Sequence, residues 1–255
     1  MKKIVLSTLV LAGLTVTSCN NDDNVADNAS AAEYLPAKMS LTIDEESNGY
    51  DFMYDAQNRL VKVTETADVD TGSFKFSSNT TYSFEYTGNE ISKVVETDYT
   101  NFNGSETNAN TVYTFAKSGN TITLNYSRTS NGETSEGSES IQINNQGYLL
   151  NTEWEVYTYN AAGNLTELAG DDYRTVYEYD TKNGFLKNIK TPRWVMDYFL
   201  DFESFYVNNA TKVSYTDDES PEDNEEYNVT YEYNVANYPT KMMISGSIMT
   251  IQYNK

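Results

Sequence analysis

Carboxylates dominate the reactive side chains of this 255-residue chain: 38 Asp and Glu stand against 17 Lys and Arg, with no histidine. The commonest general base and metal ligand is therefore missing. A nucleophile–histidine pair cannot be built, no Cys or His cluster has zinc spacing, and no glycine-rich loop leads into a helix to cradle phosphate. Paired carboxylates can hydrolyse glycosides, but nothing in the pattern selects two of the 38. The run Asp217-Asp218-Glu219 and Glu222-Asp223-Asn224-Glu225-Glu226 offers oxygen ligands to calcium, yet its spacing fits no calcium loop and Pro221 marks an exposed turn. The expectation is no catalytic residue, no metal and no cofactor. Ligand capture falls instead to aromatic side chains, with Trp154, Trp194 and Tyr198 as the candidates for stacking on sugar rings or peptide side chains.

The one cysteine, Cys19, suggests a different chemistry. Lys2 and Lys3 precede an apolar run, Ile4 to Leu14, that is too short to span a bilayer as a helix and reads as a secretory signal. Val16-Thr17-Ser18-Cys19 closes it and resembles a bacterial lipobox, which implies that Cys19 carries lipid and becomes the mature N-terminus. A diacylated residue anchors stably, at about 0.8 kcal/mol per buried CH2. Residues 1–19 are then the signal, 20–37 a flexible acidic tether and 38–255 a single β-repeat domain. Acidic residues after Cys19 resemble the surface-export signal of Bacteroidetes lipoproteins. Cleavage removes Lys2 and Lys3, leaving 15 basic against 38 acidic residues, a net charge of −23. Such a chain as a whole repels phosphate backbones and anionic lipid headgroups, so no nucleic-acid partner is expected.

The elements that must position the aromatics are legible as a repeat. Tyr82-Ser83-Phe84-Glu85-Tyr86 alternates aromatic and polar residues, which puts the three rings on one face of a strand. Tyr50 to Tyr54, Tyr113-Thr114-Phe115, Tyr157-Thr158-Tyr159, Tyr177-Glu178-Tyr179 and Tyr231-Glu232-Tyr233 do likewise, and Ile141-Gln142-Ile143 is a weaker copy. Each pair runs into Asn, Asp and Gly, the residues of tight turns. An apolar residue then resumes the chain, as at Leu60, Ile91, Leu149, Leu165 and Phe185. A second often follows three places on, as in Leu60 and Val63 or Ile91 and Val94. Spacing of three does not fit one face of a flat strand, so a bulge or a tucked residue is expected between them. Lysine recurs at Lys62, Lys93, Lys187, Lys212 and Lys241, as a solvated position that discourages edge pairing. The gap from Tyr179 to Tyr233 is expected to hide a degenerate copy at Phe205-Tyr206-Val207-Asn208-Asn209. Thr129 to Ser138 and Asp217 to Glu226 read as polar loops.

The fold class is all-β: an antiparallel meander of repeated hairpins forming an incomplete or closed barrel-like sheet. One stretch departs from it. Trp194, Tyr198 and Phe202 have helical spacing after Pro192, which predicts a short helix around 193–204 that plugs or covers one end of the sheet.

The copies Tyr54-Asp55…Asn58-Arg59-Leu60 and Tyr179-Asp180…Gly184-Phe185 resemble the YD repeats of Rhs-type proteins. The stretch Tyr179 to Ile189, with the aromatic segment and Asn208-Asn209 after it, resembles Bacteroidetes lipoproteins of unknown function, the DUF4595 type. That resemblance implies a porin-like, incomplete barrel and carries no catalytic residues. Outward positions carry Glu and Ser rather than a lipid-facing apolar band, so a porin-like shape need not mean a pore. The expected protein is a lipid-anchored, surface-exposed outer-membrane lipoprotein. It acts as a non-catalytic binding module for a glycan or protein ligand. The alternatives are a structural accessory subunit of an outer-membrane complex and a glycoside-processing enzyme.

Overall fold

The computed structural model describes residues 34–43, 46–202 and 204–254; the expected signal, Cys19 and most of the tether lie outside them. Sixteen strands follow in chain order: β1 (Leu35–Ile43), β2 (Glu46–Tyr54), β3 (Leu60–Asp70), β4 (Lys75–Thr87), β5 (Glu90–Phe102), β6 (Ser105–Ser118), β7 (Thr121–Ser130) and β8 (Glu133–Ile143). The second half is shorter: β9 (Leu149–Asn151), β10 (Val156–Tyr159), β11 (Leu165–Ala169), β12 (Tyr173–Tyr179), β13 (Ala210–Asp217), β14 (Glu225–Tyr233), β15 (Pro239–Ile244) and β16 (Ser247–Asn254). Each pairs antiparallel with its neighbour, and β1 pairs with β16, so the meander closes into a barrel and leaves no edge. Leu35, Pro36 and Ala37, expected in the tether, are already strand residues; Pro36 sits opposite Tyr253 of the last strand.

Up-and-down connectivity sends alternate turns to opposite ends. One end collects Asp55–Arg59, Asn144–Tyr148, Asn160–Asn164 and Asn234–Tyr238, all built alike. In each, the first residue's Oδ1 accepts the amides two and four places on, as Asp55 does from Gln57 (2.9 Å) and Arg59 (3.0 Å). The fourth residue, Asn58, Gly147, Gly163 or Asn237, takes positive φ, which Asn and Gly tolerate. The opposite end uses two-residue turns at Asn103-Gly104, Asn131-Gly132 and Ser245-Gly246, positive in φ at both positions. That turn overturns the expected loop Thr129–Ser138. Asn131-Gly132 joins two paired strands that stay polar on both sides because they rise above the core.

The spacing of three resolves as a bulge. Leu60 faces Tyr54 and Lys62 faces Met53, so Val61 is the extra residue, and Leu60 and Val63 both point inward with no exposed surface. The same shift occurs opposite Tyr86, Ile143, Tyr159, Tyr179 and Tyr233. The first residue of several bulges offers its carbonyl to a tyrosine hydroxyl on the adjacent strand. Tyr86 donates to Leu60 O (2.9 Å), Tyr179 to Leu165 O (2.5 Å), Tyr231 to Ala210 O (2.5 Å), Tyr253 to Pro239 O (2.7 Å) and, at the closure, Tyr54 to Pro36 O (2.7 Å).

Three expectations about 180–209 are corrected. Asp180 begins the usual turn, its Oδ1 accepting the Lys182 amide (2.9 Å), but the second amide it accepts is that of Asn209 (3.1 Å), and its own amide donates to Asn209 O (3.0 Å). The turn has been opened and the chain between inserted into the barrel. Gly184-Phe185 therefore leads into a plug rather than a strand, and Phe205–Asn209 is the plug's return path, not a repeat copy. The plug's helix, α1 (Arg193–Leu200), stops earlier than expected because Asp201 turns left-handed (φ 51°, ψ 41°). Its rings meet inward-facing wall residues: Phe199 lies 5.0 Å from Tyr113 and 6.1 Å from Tyr82, and Trp194 5.3 Å from Phe115.

The outer wall is polar. Lys93 pairs with Glu85 (2.7 Å), Lys241 with Glu232 (2.9 Å) and Lys212 with Glu226 (2.9 Å), so three of the recurrent lysines serve as cross-strand ion pairs. Lys187 belongs to the plug instead.

Tyr253→Phe should leave the Pro239 carbonyl without its hydroxyl donor. We expect a loss of about 1–2 kcal/mol in urea unfolding, with the m-value unchanged.

Candidate functional site

The strands that carry the buried rings continue past them. Along β5 the inward positions run Val94, Glu96, Asp98; along β3, Val63, Glu65, Ala67; along β7, Leu124, Tyr126, Arg128. The inner wall thus changes from apolar to polar at the depth where the plug ends. Asp201, at the tip of α1, is solvent-exposed. The plug fills one half of the lumen; the polar-lined half beyond it is termed the cup.

Tyrosine hydroxyls coupled to carboxylates line that cup. Tyr50 donates to Glu65 (2.9 Å), Tyr113 to Glu96 (2.8 Å), and both Tyr157 and Tyr173 to Glu155, the former at 2.9 Å. Asp98 accepts from Thr80 (3.1 Å) and pairs with Arg128 (3.3 Å), which also reaches Thr111 (3.2 Å). Burial, reinforced by the neighbouring carboxylates, drives the hydroxyls of Tyr50, Tyr82 and Tyr113 well above the ordinary tyrosine range, so they stay neutral donors. Burial beside Glu153 also raises the Glu139 carboxyl. Gly137 makes room for Tyr126: a Cβ there would fall 2.2 Å from the Tyr126 hydroxyl.

The plug is held by a buried cation at its helix start. Arg193 is 8 % exposed, donates Nη1 to Gly163 O (2.6 Å), and has the rings of Tyr148, Tyr206 and Tyr159 at 4.2, 4.3 and 4.8 Å. One helical turn on, Asp197 lies 3.7 Å from Arg193 Nε. Burial pushes the Asp197 carboxyl up to about 7, despite Arg193, the Tyr206 hydroxyl and the Leu149 amide beside it.

The three sequence candidates are separated. Trp154 sits between β9 and β10 at the cup's rim, 66 % exposed. Trp194 and Tyr198 share α1 a turn apart. Trp194 is buried against Phe115 and borders a groove of about 460 Å³ at the plug end, with Ile91, Lys117 and Ile122. Tyr198 is half-buried, edge-on to Phe199. The cup's carboxylates went unrecognised in the sequence, though the signal was there: Glu96 and Asp98 follow Val94 at spacing two. In the run expected as a polar loop, Asp217 Oδ1 accepts the amides of Glu219 (2.9 Å) and Ser220 (2.8 Å). Among the described residues no group of three acidic, Cys or His side chains is placed to hold a metal ion.

No family model matches the chain, and no curated protein does. Among solved structures it is similar to a porin-like protein from Bacteroides vulgatus, 13 % identical, with 87 % of this chain and 99 % of that one covered and a TM-score of 0.44. It is also similar to a porin-like protein from Bacteroides uniformis, 12 % identical, covering 86 % and 98 %, with a TM-score of 0.48. With identity this low and superposition this loose, nothing about the site passes from those proteins to this one.

Because the folded carboxyl of Asp197 lies above its ordinary 3.8, the folded protein keeps a proton that the unfolded chain releases between 3.8 and about 7. This group therefore lowers stability as pH rises through that window and adds no further loss above it. We expect the urea midpoint of Asp197→Asn to fall less between pH of about 4 and about 8 than that of the wild type.

Proposed function

We propose that this chain is a lipid-anchored envelope protein, held through Cys19 at the cell surface, whose barrel is a non-catalytic binding module with the cup as its ligand site. The observation that carries this reading is the division of the lumen along its axis. One half is packed by the plug; the other is lined by tyrosine hydroxyls paired with carboxylates. A packed lumen offers no path through. A wall of cross-strand ion pairs suits water rather than lipid hydrocarbon, which would call for outward apolar residues. Capture therefore fits better than passage.

The lining favours ligands rich in hydroxyls or amines. Tyrosine faces stack on the C–H faces of sugar rings, and carboxylates accept hydroxyl or ammonium protons. A strongly acidic protein repels polyanions. Neutral glycans come first, and peptide segments carrying amines second. One feature favours the accessory-subunit reading instead: Phe74 and Phe102 meet edge-to-face at 5.4 Å on the rim, 37 % and 51 % exposed. Rim aromatics of this kind suit a protein contact.

Calorimetry against neutral oligosaccharides should find a ligand whose Kd weakens about tenfold, or ~1.4 kcal/mol, in Tyr126→Ala. Silence across the glycans, together with an envelope protein that co-purifies and is lost in Phe102→Ser, would replace capture with the accessory role. Separately, Cys19→Ala should abolish palmitate incorporation and release the protein from membranes. Labelling that survives the change would overturn the anchor.

A further inference from the structure

Charge is sorted along the barrel axis. Among the described residues, nine cations have an ionic partner: Lys38, Arg59, Lys75, Lys93, Arg128, Arg174, Arg193, Lys212 and Lys241. Lys62, Lys117, Lys182, Lys187 and Lys190 have no ion pair among those residues; Lys62 is half-buried on the wall strand β3, and the other four are exposed. All four lie at the plug end. Lys117 closes β6 beside the turn to β7. Lys182, Lys187 and Lys190 stand on the plug where it enters and lines the end of the barrel. Lys182 Nζ reaches Asn237 Oδ1 of the β14–β15 turn (2.9 Å), and the Lys190 amide donates to Asn58 O of the β2–β3 turn (2.9 Å), so the lysines spread over the whole end.

Among the described residues, few carboxylates oppose them there. Asp55 is taken by Arg59 (2.7 Å), Asp180 by the amide of Asn209 and the hydroxyl of Tyr233, and Glu90 is exposed. The rim is the reverse. Glu106, Glu133, Asp171, Asp172 and Glu219 stand on its turns and strand ends, and its cations Lys75 and Arg174 are ion-paired to Asp70 (2.7 Å) and Glu167 (2.6 Å). Among the described residues, a chain with net charge −21 has placed its four exposed lysines that lack an ion pair on one face. The chain also enters the barrel on that face, at Leu35, where β1 begins.

We propose that the plug end is a membrane-docking surface, whose lysines rest on anionic lipid headgroups while the acidic cup faces away. This rests on the Cys19 anchor proposed above. Leu35 follows Cys19 by sixteen residues, which span at most about 55 Å when fully extended. The anchor therefore holds the barrel near the bilayer without choosing its orientation. The lysines choose it, because a basic face is drawn to an anionic leaflet and an acidic one is repelled, within roughly a Debye length of the surface. The cup is then presented outward, to ligands arriving from solution.

The test uses the full-length lipidated protein reconstituted on phosphatidylcholine vesicles with and without phosphatidylglycerol. Amine-reactive labelling is read at each lysine by mass spectrometry. On anionic vesicles, labelling of Lys117, Lys182, Lys187 and Lys190 should fall at least threefold, while Lys75 on the rim is unchanged. High salt should restore it. In the variant with all four lysines changed to Gln, the acidic rim repels the leaflet but no face attracts it. A residue-specific fluorophore at the plug end should then lie farther from the anionic bilayer than in the wild type. Protein that floats with the vesicles but labels equally at both ends overturns the docking surface and leaves the anchor standing. Protein that does not float overturns the anchor, and the docking surface with it.

Discussion

A carbonyl displaced by a bulge, and the tyrosine hydroxyl that bonds it, is the interaction on which this barrel depends. Inserting one residue per hairpin lets two apolar side chains three apart both face the lumen, as Leu60 and Val63 do. The same insertion takes a backbone carbonyl out of the ladder, and a buried carbonyl without a donor costs about 1–3 kcal/mol. The ring on the adjacent strand supplies the hydroxyl. Each tyrosine thus does two jobs: its face packs in the core, and its tip satisfies the neighbour. At the seam the bulge begins at Pro36 of β1, opposite Tyr253 of the last strand, and Tyr54 of β2 bonds the Pro36 carbonyl, so the same device spans the closure. The repeat therefore propagates around the ring, and closure follows from the same unit that builds each hairpin.

The plug grows out of the same grammar. Asp180 starts a turn like those at Asp55 and Asn160, and Asn209 finishes it, supplying the amide that a residue four places on would otherwise give. An insertion at that point leaves the flanking strands in register: Ala210 still faces Tyr179 across its bulge, as Leu60 faces Tyr54. The barrel can thus carry an interior element without altering its wall. What fixes that element is charge as much as apolar packing. Arg193 would be costly to bury alone, but three tyrosine rings, a glycine carbonyl and Asp197 surround it. Gly184 closes the other side, where a Cβ would meet the Phe205 carbonyl at 2.3 Å.

Much of this was legible in the residues. Alternation of rings with polar residues marked the strands and their inward faces, and the spacing of three called for a bulge. The helix was visible in Trp194, Tyr198 and Phe202, although its end was not, because a left-handed Asp201 leaves no compositional trace. The opened turn was hidden for a physical reason. Asp180 and Asn209 are 29 residues apart, and a hydrogen bond over that separation has no local signature. The β7–β8 hairpin was mistaken for a loop because its strands stand clear of the core and lack the apolar alternation that marks a half-buried strand. The cup is not legible strand by strand, because its carboxylates lie beyond the last ring, where the aromatic alternation that marks the inward face has stopped. Only continuing each inward face past its last ring, from Val94 to Glu96 and Asp98, reveals that they share a wall.

That wall separates a packed half of the barrel from a polar one. The fully buried residues Leu60, Val94, Leu149 and Leu165 all sit at the end where the bulges and the plug are, with Phe185 among the plug's own. Towards the rim, the tall hairpins of β3 to β8 run on with polar side chains over much of both faces, joined by backbone pairing and by contacts such as Thr129 to Thr134. Substituting a side chain there removes little buried apolar surface, so its cost is small beside that of a core change. The plug end has no such freedom, since each of its turns and rings meets a neighbour. A barrel built this way can vary the chemistry of its cup while its closed, packed half stays the same.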